Sequence, residues 1–152
     1  MEIERKFLVN KSDIPYNLLK DYLKKQIVQY YLSFDPEIRI RKIYYPYTHR
    51  SIYVITKKNG KGLSRQEIEI DISKEEYLKL KKLSEAKIEK IRYCIIYKDL
   101  ILELDFYSNI PLITIEIEFD TIKEAKQFKP LKWFGKEITE DEKYKNKNLA
   151  QL

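Results

Sequence analysis

Alternation of apolar and polar residues runs through most of the chain and predicts a protein built mainly of β-strands. Eight stretches combine a period of two with β-branched or aromatic residues. They lie near residues 2–9, 27–34, 37–45, 50–58, 64–72, 89–97, 100–107 and 112–119. The connections are short, and one carries the turn signal Asn59-Gly60. Short connections favour antiparallel neighbours in the sheet.

Helices are predicted in the gaps between the strands. Ser12 is a candidate cap for a helix that runs to about residue 25. Three further starts show Ser or Thr followed three residues later by Glu: Ser73 with Glu76, Thr121 with Glu124, and Thr139 with Glu142. The predicted fold class is α+β, an eight-stranded antiparallel closed β-barrel with peripheral helices, formed by a single domain over residues 1–152.

The polar face of the predicted strands is charged on one strand after another. Residues two apart share a face, which groups Glu2, Glu4 and Lys6; Arg39 and Arg41; Arg65, Glu67 and Glu69; Lys90 and Arg92; Glu103 and Asp105; Glu116 and Glu118. One such strand is explained by an ordinary solvated face. The repetition is not, and closure of the sheet would turn this face into a lumen. The apolar face, which includes Ile68 and Ile70, is then expected to pack under the helices.

A lumen of this kind indicates a charged ligand. Burying charges costs several kcal/mol each unless they are paired, so an apolar filling would serve a purely structural role better. The cations Arg39, Arg41, Lys90 and Arg92 suit phosphate oxygens. Paired carboxylates suit a hard divalent cation that also contacts phosphates. Acid and base together therefore predict a metal and a polyphosphate.

Composition narrows the alternatives. The chain has 152 residues and a net charge of +6, which the solvated lysines of the helices and tail explain. Its three glycines are too few for a Walker or Rossmann phosphate loop, so phosphate must be held by side chains. The single cysteine excludes an intramolecular disulfide and makes the cytoplasm the expected compartment. No apolar run approaches the roughly 18 residues of a membrane span.

Several motifs follow one another along the chain in the order and spacing of a known family. They are Glu2-x-Glu4-x-Lys6, Gln29-Tyr30-Tyr31-Leu32, Arg39-x-Arg41, Gly62-Leu63-Ser64-Arg65-x-Glu67-x-Glu69, Glu89-Lys90-x-Arg92-Tyr93, Glu116-x-Glu118, Trp133-Phe134-Gly135-Lys136-Glu137 and Asn146-Lys147-Asn148-Leu149-Ala150. Together they resemble the CYTH superfamily, the triphosphate tunnel metalloenzymes, and in particular its short bacterial inorganic triphosphatase-like members. The resemblance runs from residue 2 to residue 150.

Three positions depart from the family pattern. Tyr30 stands where the family usually has glycine. The family's Thr-x-Lys motif can be aligned in two ways. If Thr56 is its threonine, the lysine is Lys58, whereas counting residues back from Gly62 gives Lys57; we choose Lys57. The choice matters because a slip of one residue moves a side chain to the other face of the sheet. The late Asp-Pro-Arg-Tyr segment appears as residues 141–144 without its proline.

The resemblance implies a tunnel that binds a small triphosphate together with Mg²⁺ or Mn²⁺. By analogy, the metal would be held by Glu2, Glu4, Glu116 and Glu118. The phosphates would be bound by Lys6, Arg39, Arg41, Lys57, Arg65, Lys90 and Arg92. Catalytic roles fall to Lys6, to Tyr31 as a donor to phosphate, and to Glu67 or Glu69, which would orient the attacking water.

Other functions fit the same motifs. A class IV adenylyl cyclase or a thiamine triphosphatase would use the same grip on a triphosphate. A polyphosphate- or RNA-binding module would use the basic charge, but it leaves the lumen carboxylates without a role. Metal-dependent hydrolysis of inorganic triphosphate is therefore the leading hypothesis. A small triphosphate is the expected partner and no membrane is, nucleic acid ranks last, and a homodimer is one option that the sequence leaves open.

Overall fold

The strands predicted from alternation form one continuous sheet. The computed structural model describes residues 1–60, 64–84 and 86–152. Its strands are β1 Glu2–Val9, β2 Lys24–Phe34, β3 Glu37–Tyr45, β4 Arg50–Asn59, β5 Ser64–Asp71, β6 Lys87–Tyr97, β7 Leu100–Tyr107, β8 Ile113–Glu118 and β9 Phe134–Glu137. Its α-helices are α1 Lys74–Lys81, α2 Ile122–Gln127 and α3 Asn146–Leu149. All eight predicted strands are confirmed, with ends that differ by at most three residues.

The sheet closes into an antiparallel barrel. Its strand order is β5-β4-β3-β2-β6-β7-β8-β1-β9, and β5 also pairs with β1. On one side β1 pairs with β8 from Glu4 to Leu8. On the other side its first residues pair with β5, where Glu2 faces Arg65, and its last residues pair with β9. Strand β1 therefore joins the two ends of the sheet and places its charged motif at the seam.

Most of the hydrophobic core among the described residues lies outside the barrel lumen; in a smaller cluster, Tyr31, Ile88 and Tyr107 on the inward face of β2, β6 and β7 pack with Leu149. The largest cluster joins the outer faces of β1, β7 and β8, including Phe7, Leu104 and Ile115, to Ala125 of α2. A second cluster packs Tyr77 of α1 against Ile40 on the outer face of the sheet. Because apolar residues occupy the outer face, the alternating polar residues of the same strands point into the lumen.

The predicted first helix is wrong. This part of the chain instead forms three short 3-10 turns, Lys11–Asp13, Tyr16–Leu18 and Asp21–Leu23, and β2 then begins at Lys24. Pro15 lies between the first two turns, and proline disfavours helical conformation in the residue before it. That residue, Ile14, is extended and buried in the core. Apolar spacing in this segment therefore reflects anchoring of a loop, not one face of a helix.

The other helix starts are confirmed in two cases of three. Ser73 and Glu76 form the reciprocal capping box of α1, and the Thr121 side chain accepts a hydrogen bond from the amide of Glu124 in α2. Thr139 caps no helix. The turn Glu142–Tyr144 is capped by Asp141, and α3 follows it.

Strand β9 was not predicted from the sequence. It is only four residues long and contains Gly135, where a Cβ atom would lie 2.8 Å from the carbonyl oxygen of Leu8. Glycine is therefore required for β9 to approach β1. Arg5 of β1 fixes β9 by a paired hydrogen bond to Glu137, at 2.9 and 2.7 Å, and also donates to carbonyls at the end of α2.

The helices cover the barrel only in part. Helix α1 lies over β2, β3 and β4, so Ile68 and Ile70 on β5 are each 59% exposed, against the expectation that they pack under a helix. Gly62 and Leu63 of the fifth strand's motif lie outside the described residues. Within the described ranges, none of the helices has the length and apolar character needed to cross a membrane.

Candidate active site

The barrel lumen is a charged cavity of about 240 Å³. Among the described residues that line it are eight carboxylates and eight cations. The carboxylates are Glu2, Glu4, Glu37, Glu67, Glu69, Glu103, Glu116 and Glu118. The cations are Lys6, Lys25, Arg39, Arg41, Lys58, Arg65, Arg92 and Lys145. The strand alternation therefore brings together most of the predicted site residues, which come from the five strands β1, β3, β5, β6 and β8.

Carboxylates crowd together on β1 and β8. Glu4 faces Glu118 across the strand pair and lies near Glu116 and Glu2. Burial, together with the charges of Glu116 and Glu2, raises the pKa of Glu4 to about 8. Burial also raises the pKa of Glu2 and of Glu118. Burial and the neighbouring carboxylates outweigh the nearby Lys58 and Lys6, and a bound cation would add the positive charge that favours ionisation.

Glu116 differs from its neighbours because it faces cations. Its carboxylate lies 4.0 Å from the Lys6 ammonium. Burial alone would raise the pKa of Glu116, but Lys6, Lys90 and Arg92 outweigh it and lower the pKa to about 2. Glu116 is thus ionised throughout the physiological range and connects the carboxylates of β1 to the cations of β6.

Lys58 is the lysine of β4 that reaches the lumen. Its side chain is buried, and its ammonium lies 3.0 Å from Glu2 and 3.8 Å from Glu67. Lys57 is exposed on the outer face of the barrel, so the choice of Lys57 as a phosphate-binding residue is wrong. The pairing of Lys58 with Glu67 and of Thr56 with Glu69 fixes this register.

Arginines crowd together on the opposite part of the lumen. Arg39 and Arg41 of β3 lie near Arg92 of β6. Burial, together with the charges of Arg39 and Arg92, lowers the pKa of Arg41 to about 10. The Arg41 side chain is oriented by the buried Gln29, whose amide oxygen accepts from Arg41 Nε at 2.9 Å. Three cations held this close repel one another, and a polyanion between them would relieve that repulsion.

The chain segment after β9 closes over part of the lumen. Residues Ile138, Thr139, Tyr144, Lys145 and Asn146 line the cavity. The segment is held by hydrogen bonds from Lys6 Nζ to the Tyr144 carbonyl at 2.9 Å and from the Ile138 amide to the Lys6 carbonyl at 2.8 Å. Burial would lower the pKa of Lys6, but Tyr107, Glu116 and Asp105 outweigh it and raise that pKa. Lys6 therefore stays charged in the cavity.

Two predicted site residues lie behind the lining. Lys90 has no exposed surface and forms a 2.8 Å ion pair with Asp105. Burial, with Arg92 and Arg41 nearby, lowers the pKa of Lys90 to about 7 despite this carboxylate. Tyr31 is buried against Ile88, and its hydroxyl accepts from Gln29 Nε2 at 3.0 Å. Direct phosphate contact by Lys90 or Tyr31 remains a prediction.

Several lining residues were missed. Glu37 shares a face with Arg39 and pairs with Arg65 at 3.1 Å, so the alternation of β3 could have identified it. Lys25 lies at the start of β2, before the stretch that alternation marked. Lys145 and its neighbours lie in a segment without periodicity, and nothing in their spacing points to the lumen.

The donor set was tested for its fit to a divalent metal. Carboxylate oxygens are the ligands that Mg²⁺ and Mn²⁺ prefer. In residues 1–60, 64–84 and 86–152 no three His, Cys, Asp or Glu side chains form a ready-made metal cluster. Mg²⁺ commonly uses only one or two carboxylates and completes its shell with water and substrate phosphate. The raised pKa of Glu4 is the observation that makes this donor set fit a cation.

The comparisons with known proteins agree with this geometry. An inorganic triphosphatase of Nitrosomonas europaea is 37% identical over 153 residues, which cover 98% of this chain and 96% of that protein. The chain belongs to the CYTH superfamily, the triphosphate tunnel metalloenzymes. A second member, an inorganic triphosphatase of Acetivibrio thermocellus, is 33% identical over 99% of this chain and 93% of its own length.

Solved structures place the fold in the same superfamily. The crystal structure of an inorganic triphosphatase covers the whole chain and 95% of its own, at 34% identity and a TM-score of 0.66. A candidate adenylate cyclase of Bacillus halodurans matches 83% of the chain at 20% identity and a TM-score of 0.61, which bears on the CYTH barrel alone. No protein-family model matches the chain.

Proposed function

We propose that the protein is a divalent-metal-dependent inorganic triphosphatase of the cytoplasm, which hydrolyses the terminal phosphoanhydride bond of tripolyphosphate. One observation carries the proposal: a single closed lumen holds crowded carboxylates, with Glu4 resisting ionisation, opposite crowded arginines, with Arg41 losing basicity. Both groups are only partly compensated within the protein, because the ion pairs of Lys58, Lys6 and Asp105 leave the pKa of Glu4 raised and that of Arg41 lowered. A metal ion and a polyanion together compensate both.

The metal would be held from the β1 and β8 side. Glu2, Glu4, Glu116 and Glu118 are the carboxylates placed for it, with Glu69 lining the same cavity. A bound divalent cation supplies Lewis-acid neutralisation of the charge that develops on the phosphoryl oxygens. The chain's own contribution is to keep these carboxylates together in a narrow lumen, so that no large rearrangement is needed when the ion binds.

The triphosphate would be held by cations from several strands. Arg39, Arg41 and Arg92 offer guanidinium forks on one side, and Arg65 and Lys58 lie next to the carboxylates on the other. Lys6 adds a permanent positive charge between the two. Phosphoryl transfer needs little covalent chemistry from a protein, so positioning and charge stabilisation account for most of the catalysis.

Water activation is assigned to the carboxylates of β5. Glu67 lines the cavity, and one of its oxygens lies 3.8 Å from Lys58 and makes no hydrogen bond to the described part of the chain. A carboxylate in this place could accept a proton from a water molecule aligned with the terminal phosphorus. Glu69 lies two residues further along β5 on the same face and is more exposed than Glu67. Of the two candidates, the geometry favours Glu67.

The size of the lumen favours a bare triphosphate. A volume of about 240 Å³ lies below the roughly 300–1,000 Å³ of sites for drug-sized ligands. Compact polyphosphates fit such a space without help from outside it. ATP and thiamine triphosphate carry organic groups that would have to remain outside the lumen.

Phosphate release from a panel of substrates tests the proposal. Tripolyphosphate, ATP and thiamine triphosphate are each assayed with Mg²⁺, Mn²⁺ or EDTA. We expect the fastest release from tripolyphosphate with a metal, none in EDTA, and a loss of about 100-fold or more in Glu4→Gln. The control is Glu75→Gln on α1, whose side chain is 81% exposed. Failure of all three substrates with every metal would refute the proposal, and cyclic AMP from ATP would favour the cyclase.

A further inference from the structure

Asp105 is a buried acid that takes no part in lining the lumen. It lies on β7 opposite Arg92 of β6, and its side chain has no exposed surface. Its carboxylate receives Arg92 Nε at 2.7 Å and the terminal Nη2 at 2.9 Å. It also lies 2.8 Å from the ammonium of Lys90. One buried carboxylate thus holds the only two cations of β6 that point inward.

The geometry of Arg92 shows what this contact achieves. Two nitrogens of its guanidinium are held in parallel by Asp105, which fixes the plane of the group. The remaining nitrogen, Nη1, donates to Glu103 at 2.8 Å, and the Glu103 side chain lines the lumen and is 27% exposed. Arg92 therefore has two kinds of partner: the buried Asp105 holds it permanently, and Glu103 beside the cavity can be exchanged for another anion.

We infer that Asp105 is a positioning residue that holds the Arg92 guanidinium ready for a phosphate group of the substrate. The inference rests on the proposed function, because it assumes that Arg92 contacts the triphosphate. A free arginine side chain must lose rotamer freedom when it binds, and a side chain already held by a buried carboxylate loses less. Asp105 acts through Arg92 and touches no substrate atom.

A contribution to folding stability does not explain why a buried aspartate stands at position 105. A buried ion pair contributes little net stability, and well-packed apolar residues of similar volume often stabilise a protein more. The neighbouring side chains on the outer face of β7 are apolar and form the core, as Leu104 does. The strand could carry an apolar pair at 92 and 105, but such a pair would place no guanidinium in the lumen.

The test compares Asp105→Asn with a matched change, Glu103→Gln, in steady-state kinetics on tripolyphosphate. Both remove a carboxylate from the same guanidinium, but only Asp105 is bidentate and fully buried. We expect KM to rise about 10- to 100-fold in Asp105→Asn, by analogy with the loss seen when a residue that orients a metal ligand is removed. A smaller change is expected in Glu103→Gln, and an equal or larger one would overturn the inference.

A second comparison separates positioning from general damage. Asp105→Asn is also introduced into Arg92→Met protein, where it should change KM by no more than about twofold if it acts through Arg92. The same rise in KM in both backgrounds would contradict the positioning role of Asp105.

If Asp105→Asn does not fold, Lys90→Met is compared with Lys90→Met/Asp105→Asn, which removes the buried cation together with the anion. In the Lys90→Met background, Asp105→Asn should raise the Kd for tripolyphosphate in EDTA, and an unchanged Kd would contradict the positioning role of Asp105.

Binding also keeps the two hypotheses distinguishable. If wild-type protein releases no phosphate from any triphosphate, the proposed function fails. Asp105 is then judged by the Kd for tripolyphosphate in EDTA, measured by calorimetry on wild-type protein and Asp105→Asn. A Kd that rises about tenfold supports the role, and a Kd that stays the same overturns it.

Discussion

Two parts of the lumen wall differ in how their charges are compensated. On β6 and β7, Lys90 and Arg92 are paired with Asp105, and Arg92 also with Glu103. On β1 and β8, carboxylates face carboxylates, as Glu4 faces Glu118. The paired wall is complete when the chain folds. We propose that a bound cation completes the carboxylate wall.

The pKa shifts describe the same difference. Burial alone would raise the pKa of Asp105, but Arg92 and Lys90 hold it well below its ordinary value. Burial raises the pKa of Glu4 to about 8, and nearby Glu116 adds to the shift. The pKa values of these two carboxylates thus shift in opposite directions because their neighbours differ. Rigid positioning is expected from the first wall and ligand binding from the second.

The largest expected effect in this comparison concerns Lys58, a cation that contacts the carboxylates of β1 and β5. Lys58→Met removes its ion pairs to Glu2 and Glu67 and a positive charge from the lumen. We expect kcat/KM for tripolyphosphate to fall about 100-fold, as for loss of one preorganised donor in other enzymes. Initial rates with saturating Mg²⁺ measure it.

Lys57→Met is the matched control for Lys58. The two lysines are neighbours on β4, but the Lys57 side chain is exposed on the outer face. Its replacement should leave kcat/KM within about twofold of wild type, as for most surface substitutions. A larger loss in Lys57→Met than in Lys58→Met would reverse the assignment of the two faces and with it the description of the lumen.

A smaller effect is expected in the stability of the metal-free protein. The pKa of Glu4 is higher in the folded protein, about 8, than in the unfolded chain, so the folded state binds the proton more tightly. The free energy of unfolding should therefore fall as pH rises from 5 to 7, by at most about 2–3 kcal/mol. Denaturant titrations in EDTA at several pH values measure it.

Between pH 5 and 7, the contributions of Glu116 and Lys90 to the free energy of unfolding change little. Glu116, with its pKa lowered to about 2, loses its contribution only below pH 5. Lys90, with its pKa lowered to about 7, adds stability only as pH rises above 7. The slope between pH 5 and 7 should be shallower in Glu4→Gln. An equal slope in the two proteins would show that Glu4 ionises normally and that the carboxylate wall needs no cation.

Much of the barrel could be predicted because alternation depends only on local geometry. Side chains two apart share a face in any strand, which was enough to place Glu4, Arg41 and Glu116 in one lumen. The same rule fails where the chain turns. Counting back from Gly62 starts beyond the end of β4 at Asn59 and therefore does not use the alternation of the strand itself; it selects Lys57 instead of Lys58.

Other parts could not be predicted because distant contacts determine them. The segment at residues 12–25 has helical spacing, but Pro15 and the burial of Ile14 impose separate turns. Lys145 reaches the lumen because Lys6 and β1 hold the segment after β9 in place. Neither contact leaves a periodic signal in the sequence.

We propose that the carboxylate wall binds a divalent cation, and calorimetric titration with Mn²⁺ at pH 7 tests this binding most directly. Because the pKa of Glu4 is raised to about 8, the ion must displace a proton when it binds. Wild-type protein should bind Mn²⁺ and release a proton, detected as a binding enthalpy that depends on the ionisation enthalpy of the buffer. Glu4→Gln should bind more weakly and release none. Equal affinity and equal proton release in the two proteins would contradict the account.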